Sequence, residues 1–284
     1  SDVCSSDLDG SNARAGSAAY HVIIGANGAV LDGFTITGGL ANGGDADGRG
    51  GGMYNANCSP GVAHCVFTAN AARRGGAMYN TNASPTLTAC SFESNTAGES
   101  GTLADSGGAI MNAANSTAAL TNCTFSLNSS VFGGAISNDA SSPSIDNCSF
   151  TENSALAGGA LANFNGAAPP MSESSFTGNT AVSGGAIADY GGTVDLQRSA
   201  LSANTASATG GAIYLEGASL SLAECTLTQN SAQEEGGAVY GTDSDAGFHT
   251  CTFEGNSTDL SGGALYLASG STLAAASCVL KTNS

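Results

Sequence analysis

The sequence predicts an all-β solenoid, a parallel β-helix of about ten coils, most of them 25 or 26 residues long. Two repeated patterns predict this fold. A Gly-Gly pair followed by a small and then an apolar residue begins at positions 50, 75, 107, 133, 158, 184, 210, 236 and 262. After each pair comes a Phe or Leu with an Asn three residues later, from Phe67 to Leu280. Self-similarity at such a period indicates stacked coils.

Alternation within each coil predicts short strands. Cys148 and Phe150 are two residues apart and share one face, whereas Ser149 and Thr151 face the other way. An apolar residue, here Ile145, recurs three positions before the Cys. Because three is not a strand period, a bend must lie between them. Short strands joined by bends form coils that stack at about 4.8 Å.

A leucine-rich repeat is the main alternative fold, since the pattern Leu-x-x-Cys-x-Phe-x-x-Asn fits its strand half. Its convex half needs a helix or 3₁₀ segment with further leucines. In this chain small residues and a Gly-Gly pair follow the Asn. Glycine costs about 1 kcal/mol per residue in a helix, so we favour the β-helix.

The repeats define the domain organisation. Residues 1–19 match no repeat and are interpreted as a non-repeat N-terminal remnant, and residues 20–284 form the β-helix domain. We expect this domain to be truncated at both ends, because solenoids need capping units. Two insertions, Leu40–Arg49 and 96–106, interrupt the period. Both follow the Asn position, so both should leave the same corner of the coil.

The charge excludes some functions. The chain has 23 acidic residues against six lysines and arginines, a net charge of −17. Nucleic-acid binding needs clustered cations and is not expected. No apolar run approaches the roughly 20 residues of a membrane-spanning helix, so we expect no membrane span within this chain.

The cysteines predict a structural ladder rather than a metal or redox site. Seven of nine occupy one repeat position: Cys65, Cys90, Cys123, Cys148, Cys225, Cys251 and Cys278. Parallel, in-register Cβ vectors do not converge to disulfide distance, so free thiols are expected. Whether Cys58 forms a disulfide with Cys65 is left open by the sequence, as is the disulfide state of Cys4. No Cys-x-x-Cys pair occurs, and we expect no metal and no cofactor.

Two rows of Asn, each at one fixed position of the repeat, are also predicted to have structural roles. The first row should occupy a corner, where Asn tolerates unusual φ and its amide can bond the local backbone and the Asn of the next coil. Its members are Asn70, Asn95, Asn128, Asn153, Asn179, Asn204, Asn230, Asn256 and Asn283. The second row should serve another corner and contains Asn55, Asn80, Asn112, Asn138, Asn163 and Asp189.

The insertion corner is the one place in the sequence where charges of both signs gather. Its residues are Asp45, Asp47, Arg49, Arg73, Arg74, Glu99 and Asp105. Loops on one side of a solenoid usually carry binding, so these seven residues form the predicted ligand-binding site. We predict no catalytic residue. A lyase or hydrolase acting on polysaccharide at this corner is the alternative, and ice binding by outward Ser and Thr residues beside the Phe position is a weaker one.

The paired motifs resemble a known family. Gly134-Ala135-Ile136 and its equivalents, with Phe-x-x-Asn from Phe67 to Phe253, resemble the repeats of polymorphic outer-membrane proteins. Gly33–Gly39 is also similar to the first coil of bacterial right-handed β-helix repeat proteins of the pectin-lyase-like type. The resemblance implies a right-handed, single-stranded parallel β-helix. It also implies a bacterial passenger, secreted or displayed at the outer-membrane surface, that adheres to a host or neighbouring cell-surface protein or glycan.

Overall fold

The chain folds into a parallel β-solenoid of ten coils, in a computed structural model that describes residues 20–98 and 106–284. Three ten-stranded sheets run along the solenoid, and each coil contributes one strand to each sheet. Every strand pairs in parallel with the equivalent strand of the next coil. This arrangement confirms the predicted all-β fold and its coil number.

The strands of the sheets are as follows. Sheet A contains Ile23–Ile24, Met53–Ala56, Met78–Thr81, Ile110–Ala113, Ile136–Asp139, Leu161–Phe164, Ile187–Tyr190, Ile213–Glu216, Val239–Thr242 and Leu265–Leu267. Sheet B contains Val30–Asp32, Gly61–Ala63, Thr86–Thr88, Ala119–Thr121, Ser144–Asp146, Pro170–Ser172, Thr193–Gln197, Ser219–Ala223, Asp245–His249 and Thr272–Ala276. Sheet C contains Thr35–Thr37, Val66–Thr68, Ser91–Glu93, Thr124–Ser126, Ser149–Thr151, Ser175–Thr177, Ala200–Ser202, Thr226–Thr228, Thr252–Glu254 and Val279–Lys281.

Short strands and one turn of helix complete the fold. Two-residue strands follow sheet C at Leu40–Ala41, Ala71–Ala72, Thr96–Ala97, Thr180–Ala181, Thr205–Ala206, Ser231–Ala232 and Ser257–Thr258. The first insertion contains a 3₁₀ turn at Asp45–Gly48. Within the described residues this turn is the only helix. The leucine-rich alternative, which needs a helical segment in each repeat, is therefore rejected.

Identical repeat positions stack into ladders inside the solenoid. The rings of Phe92, Phe125 and Phe150 lie parallel, with centroids 4.8 Å apart at both steps. Phe67 and Phe176 extend the same stack, and all five rings are fully buried. The strand register places each Phe opposite the next one. The core is thus a continuous column of equivalent side chains.

Four residues with left-handed φ turn most of the coils. In the fourth repeat they are Gly133, Ala140, Asn147 and Glu152, with φ of 62°, 46°, 48° and 54°. The prediction that the first-row Asn takes the unusual φ is wrong. The residue before it, here Glu152, makes the turn, and this leaves the Asn side chain free to point inward and form hydrogen bonds.

The Gly-Gly pair is required by sterics. Gly133 has a positive φ, and a Cβ there would overlap the carbonyl oxygen of Ile136. A Cβ at Gly134 would overlap the carbonyl oxygen of Gly159 on the next coil. The first glycine therefore makes a left-handed turn, and the second allows two coils to approach closely.

The second Asn row lies inside sheet A, so the prediction that it serves a corner is wrong. Asn138 is the third residue of Ile136–Asp139 and is fully buried. Its Nδ2 donates to Oδ1 of Asn163 at 3.0 Å, and Asn163 in turn donates to Asp189 at 2.9 Å. The row ends there because the next coil has Leu215 opposite Asp189.

The cysteine ladder consists of free thiols, as expected. Every described cysteine is free, including Cys58 and Cys65; Cys4 lies outside the described residues. Burial raises the pKa of Cys225 to about 11 and also raises the pKa values of Cys65 and Cys251. Cysteines whose pKa is raised in this way stay protonated at neutral pH and act as small apolar side chains.

Candidate functional site

The first insertion brings arginines from two successive corners together. The backbone N–H groups of Arg73 and Arg74 both donate to the carbonyl oxygen of Gly48, at 3.0 and 3.1 Å. The backbone of Arg49 forms a parallel bridge with that of Arg74. These bonds fix the end of the insertion onto the next corner. Gly48, Arg49, Arg73 and Arg74 line one open cavity of about 130 Å³ there.

Arg49 is held in place by an aromatic column. Its guanidinium carbon lies 5.2 Å from the ring centroid of Tyr79. Tyr79 stacks on Tyr54 at 5.9 Å, and Tyr54 stacks on His21 at 5.1 Å. A cation over an aromatic face gains roughly 0.5–1 kcal/mol at a partly exposed site. The arginine therefore remains at the cavity without using a carboxylate as its partner.

The charge balance distinguishes this cavity from the rest of the surface. The ion pairs of the described residues are His64–Asp32, Arg198–Glu173 and Lys281–Glu254. Arg49 and Arg73 form none there. Among the described residues, two arginines without an acidic partner thus line one cavity in a chain with a net charge of −17.

Of the seven residues predicted from sequence, the structure brings the three arginines together. Asp47 is exposed in the 3₁₀ turn, and its backbone N–H donates to the carbonyl oxygen of Gly44 at 3.1 Å. Asp45 begins that turn. Glu99 and Asp105 lie outside the described residues. In the described ranges no group of three His, Cys, Asp or Glu side chains could hold a metal ion.

A second cavity, of about 200 Å³, lies on the outer face of sheet B. Asp146, Ser172 and the pair Asp195 and Arg198 come from three successive coils and line it. The hydroxyl of Ser172 donates to Asp146 at 2.6 Å, and Arg198 pairs with Glu173 at 3.3 Å. The sequence analysis missed this group. The available signal was a set of charged residues at outward positions of sheet B in consecutive coils.

The outer face of sheet C carries two columns of small side chains. From the third to the seventh repeat they read Thr124, Ser149, Ser175, Ala200 and Thr226 in one column and Ser126, Thr151, Thr177, Ser202 and Thr228 in the other. Nine of these ten residues carry a hydroxyl and none is charged. Glu93 and Glu254 bound this uncharged stretch.

The family comparison agrees with this geometry. The family description "Right handed beta helix region" matches residues 20–205, well over half of the chain. This chain belongs to the right-handed β-helix family. The β-helix also matches the Chlamydia polymorphic membrane protein repeat at residues 224–242 and 250–268. Each of these matches spans a Cys ladder position, a first-row Asn and the following Gly-Gly pair.

Two tailspike proteins are among the solved structures that the comparison matched to this chain. A mutant tailspike protein of E. coli bacteriophage HK620, in complex with a hexasaccharide, is 17% identical with a TM-score of 0.36; the similarity covers 93% of this chain and 47% of that one. The Dettilon tailspike protein is 11% identical with a TM-score of 0.28, covering 92% and 61%. This β-helix thus spans about half of the HK620 tailspike chain and about three fifths of the Dettilon tailspike chain. The comparison with curated proteins found no match.

In the described part of the β-helix, no helix has the length and hydropathy needed to cross a bilayer.

Proposed function

We propose that this β-helix is a non-enzymatic, extracellular or cell-surface passenger or stalk, and that it adheres by binding an anionic group of a protein or glycan at the insertion corner. One observation carries the proposal. Arg49 and Arg73, without ion pairs in the described residues, face a common cavity in a strongly acidic protein. The regular coils on either side serve as a rigid support. The polymorphic membrane protein repeats support a role at a cell surface.

The chemistry of the cavity favours an oxyanion. Arginine presents a planar fork of donors that matches a carboxylate, sulfate or phosphate in a bidentate manner. At about 130 Å³, the cavity is smaller than the roughly 300–1,000 Å³ of typical small-molecule pockets. It can therefore hold one charged group, while the remainder of the ligand lies along the surface.

The test is a binding screen with a matched arginine control. Immobilised glycans, including uronate-containing and sulfated ones, and cell-surface proteins are probed with the intact protein, Arg73→Ala and Arg198→Ala. Arg198 is the comparison because it is exposed, paired with Glu173 and lies at the cavity on sheet B, away from the insertion corner, so that the two variants distinguish the two candidate sites. We expect acidic ligands to be retained by the intact protein and by Arg198→Ala, and to be lost by Arg73→Ala. Absence of binding to every surface would leave a stalk without an adhesive role.

Cleavage of an acidic polysaccharide is the second candidate function, and the cavity on sheet B is the observation that favours it. Two carboxylates, Asp146 and Asp195, border that cavity with Arg198, and paired carboxylates are the usual groups for glycoside hydrolysis. Incubation with uronate polymers, with and without Ca²⁺, should then release reducing or unsaturated ends, and the release should stop in Asp146→Asn. No product from the intact protein rejects this candidate.

Ice binding remains a third candidate, on the uncharged hydroxyl columns of sheet C. Thermal hysteresis that disappears when Thr151 is replaced by Lys would support it. A solution of the intact protein with no thermal hysteresis rejects it.

A further inference from the structure

Three tyrosines form a row on the outer face of sheet A, toward the C-terminal end of the solenoid. We call Tyr214, Tyr240 and Tyr266 the tyrosine row. They occupy one register position on three successive coils. Their rings stack in parallel, with centroids 5.5 and 5.7 Å apart. All three tyrosines are half-buried, and the structure describes every residue of these coils. The row is therefore a continuous and partly exposed aromatic surface.

An earlier coil shows what covers a tyrosine at this register position. Tyr79 occupies the position in the second repeat. The guanidinium carbon of Arg49, which stands directly before the preceding Gly-Gly pair, lies 5.2 Å from its ring centroid, and Tyr79 is only 3% exposed. Phe132 stands at the same place before its own pair and packs edge-on against Phe164 of the next coil at 5.3 Å. The residue before a Gly-Gly pair thus reaches an aromatic ring of the following coil.

The tyrosine row has no such cover among the described residues. The covering position, one coil before each ring of the row, is filled by Ser183, Thr209 and Glu235. Ser and Thr are too short to extend across a ring, and a carboxylate is not attracted to the negative face of an aromatic ring. No described cation lies over any ring of the row. The row therefore leaves open the place that a guanidinium group fills at Tyr79.

Carboxylates lie beside this open place. The hydroxyl of Tyr214 donates to Glu216 at 3.1 Å. Glu216 and Glu234 are exposed, and Glu235 is half-buried. Burial raises the pKa of the Tyr240 hydroxyl, and the negative charges of Glu235 and Glu216 raise it further. Aromatic faces flanked by carboxylates attract a cation and disfavour an anion.

We propose that the tyrosine row binds an arginine-bearing segment of a partner protein, with guanidinium groups over the rings and paired with the neighbouring carboxylates. Arginine suits the row better than lysine, because its planar guanidinium stacks on aromatic faces and is less strongly hydrated than an ammonium group. Common glycans carry no guanidinium, so a protein supplies this ligand. A second copy of this chain is disfavoured, because its net charge is also −17 and its Arg49 and Arg198 already have partners.

This inference goes beyond the proposed function, because it assigns a cationic ligand to a different surface. Five coil steps separate the coil that follows Arg73 from the first coil of the tyrosine row. At about 4.8 Å per coil, this is a distance of about 24 Å along the solenoid. The two surfaces can therefore bind their ligands independently.

Calorimetric titration with hexa-arginine and hexalysine, at about 0.15 M salt, tests the proposal. The two peptides carry equal charge, so general attraction to an acidic protein is the same for both. We expect hexa-arginine to bind at least about threefold more tightly. Tyr240→Met should weaken its binding about fivefold, and Met is compatible with folding because Met111 occupies this register position in the third repeat. The conservative variant Tyr240→Phe keeps the ring and should retain the affinity.

A pair of charge variants locates the carboxylates that contribute. Glu235→Gln should weaken hexa-arginine binding at least about threefold, because it removes a charge beside the rings. Glu93→Gln removes one exposed charge on the outer face of sheet C and is the matched control. We expect it to change the affinity less than about 1.5-fold, because salt screens a distant charge.

Hexa-arginine that does not bind, that binds no better than hexalysine, or that is insensitive to Tyr240→Met overturns the inference. Equal effects of Glu235→Gln and Glu93→Gln would also overturn it, because they would indicate attraction by the net charge alone. The proposed function can fail separately. A protein that binds acidic ligands but not hexa-arginine rejects only the tyrosine row, whereas one that binds hexa-arginine alone rejects only the anion site.

Discussion

Oδ1 of Asn153 accepts two hydrogen bonds from Asn128 on the preceding coil, one from its backbone N–H and one from its side-chain Nδ2, both at 3.0 Å. Nδ2 of Asn128 also donates to the backbone carbonyl of Phe92, one coil further back, at 3.0 Å. One buried amide thus links three successive coils. The same pattern repeats from Asn70 to Asn283.

Replacing Asn153 with Ala should destabilise the solenoid by about 2–4 kcal/mol, because two buried donors of Asn128 lose their acceptor. Urea unfolding measures the change, and hydrogen exchange should show faster exchange at the Asn128 amide. Thr151→Ala, on the outer face of sheet C, is the matched control and should change stability by less than about 0.5 kcal/mol. Equal effects of the two substitutions would show that the ladder contributes little.

The phenylalanine stack predicts a size-dependent response. Phe150→Ala should cost about 3–5 kcal/mol, because it opens a cavity between two stacked rings. Phe150→Leu should cost considerably less, since Leu201 and Leu227 already occupy this position in later coils. Urea unfolding of both variants provides the comparison. Similar losses for Leu and Ala would mean that ring stacking, rather than volume, determines stability here.

Asp189 predicts a dependence of stability on pH. It is fully buried, and desolvation raises its pKa from 3.8 to about 6, although hydrogen bonds from Asn163 and the Gly192 N–H favour the charged form. The folded protein therefore holds a proton between about pH 4 and 6 that the unfolded chain has released. Its stability should fall as the pH rises through that window, by about 3 kcal/mol in total.

The measurement is urea unfolding of the intact protein and of Asp189→Asn at several pH values. The variant has no group to titrate at this position, so the intact protein should lose about 3 kcal/mol relative to it between about pH 3 and 7. A constant difference between the two proteins across that range would contradict the shifted pKa.

The cysteine ladder predicts site-selective labelling. Cys278 is half-buried, whereas Cys225 is fully buried with a pKa raised to about 11. In the folded protein at pH 8, a maleimide should modify Cys278 much faster than Cys225, as measured by peptide mass spectrometry. In guanidinium the two rates should become equal. Rapid labelling of Cys225 under native conditions would show that this coil opens readily.

The sequence was sufficient to predict the coils and ladders, because equivalent positions repeat and any periodic residue must stack on its own copies. Local geometry was harder to predict. Glu152, rather than Asn153, takes the left-handed φ, and Asn138 lies in a strand instead of a corner. Moving the left-handed φ by one residue, or moving the second Asn row from a corner into a strand, leaves the repeat period unchanged. The repeat pattern therefore could not predict either feature.

For a related reason, the sequence could group some residues of the proposed sites and not others. Arg49, Arg73 and Arg74 could be grouped because they flank an insertion at one corner. The cavity on sheet B was missed because Asp146, Asp195 and Arg198 occupy different repeat positions. Only the stacking of three coils brings them together, and no alignment of the repeats shows that.

Binding at the insertion corner, supported by otherwise regular coils, is the central claim. The most direct test is a titration of ¹⁵N-arginine-labelled protein with a sulfated or uronate oligosaccharide, followed by NMR of the arginine Nε–H groups. The signals of Arg49 and Arg73 should shift and saturate, while that of Arg198, paired with Glu173, should stay in place. Signals that do not move, or that move equally at all three arginines, would contradict a specific anion site at this corner.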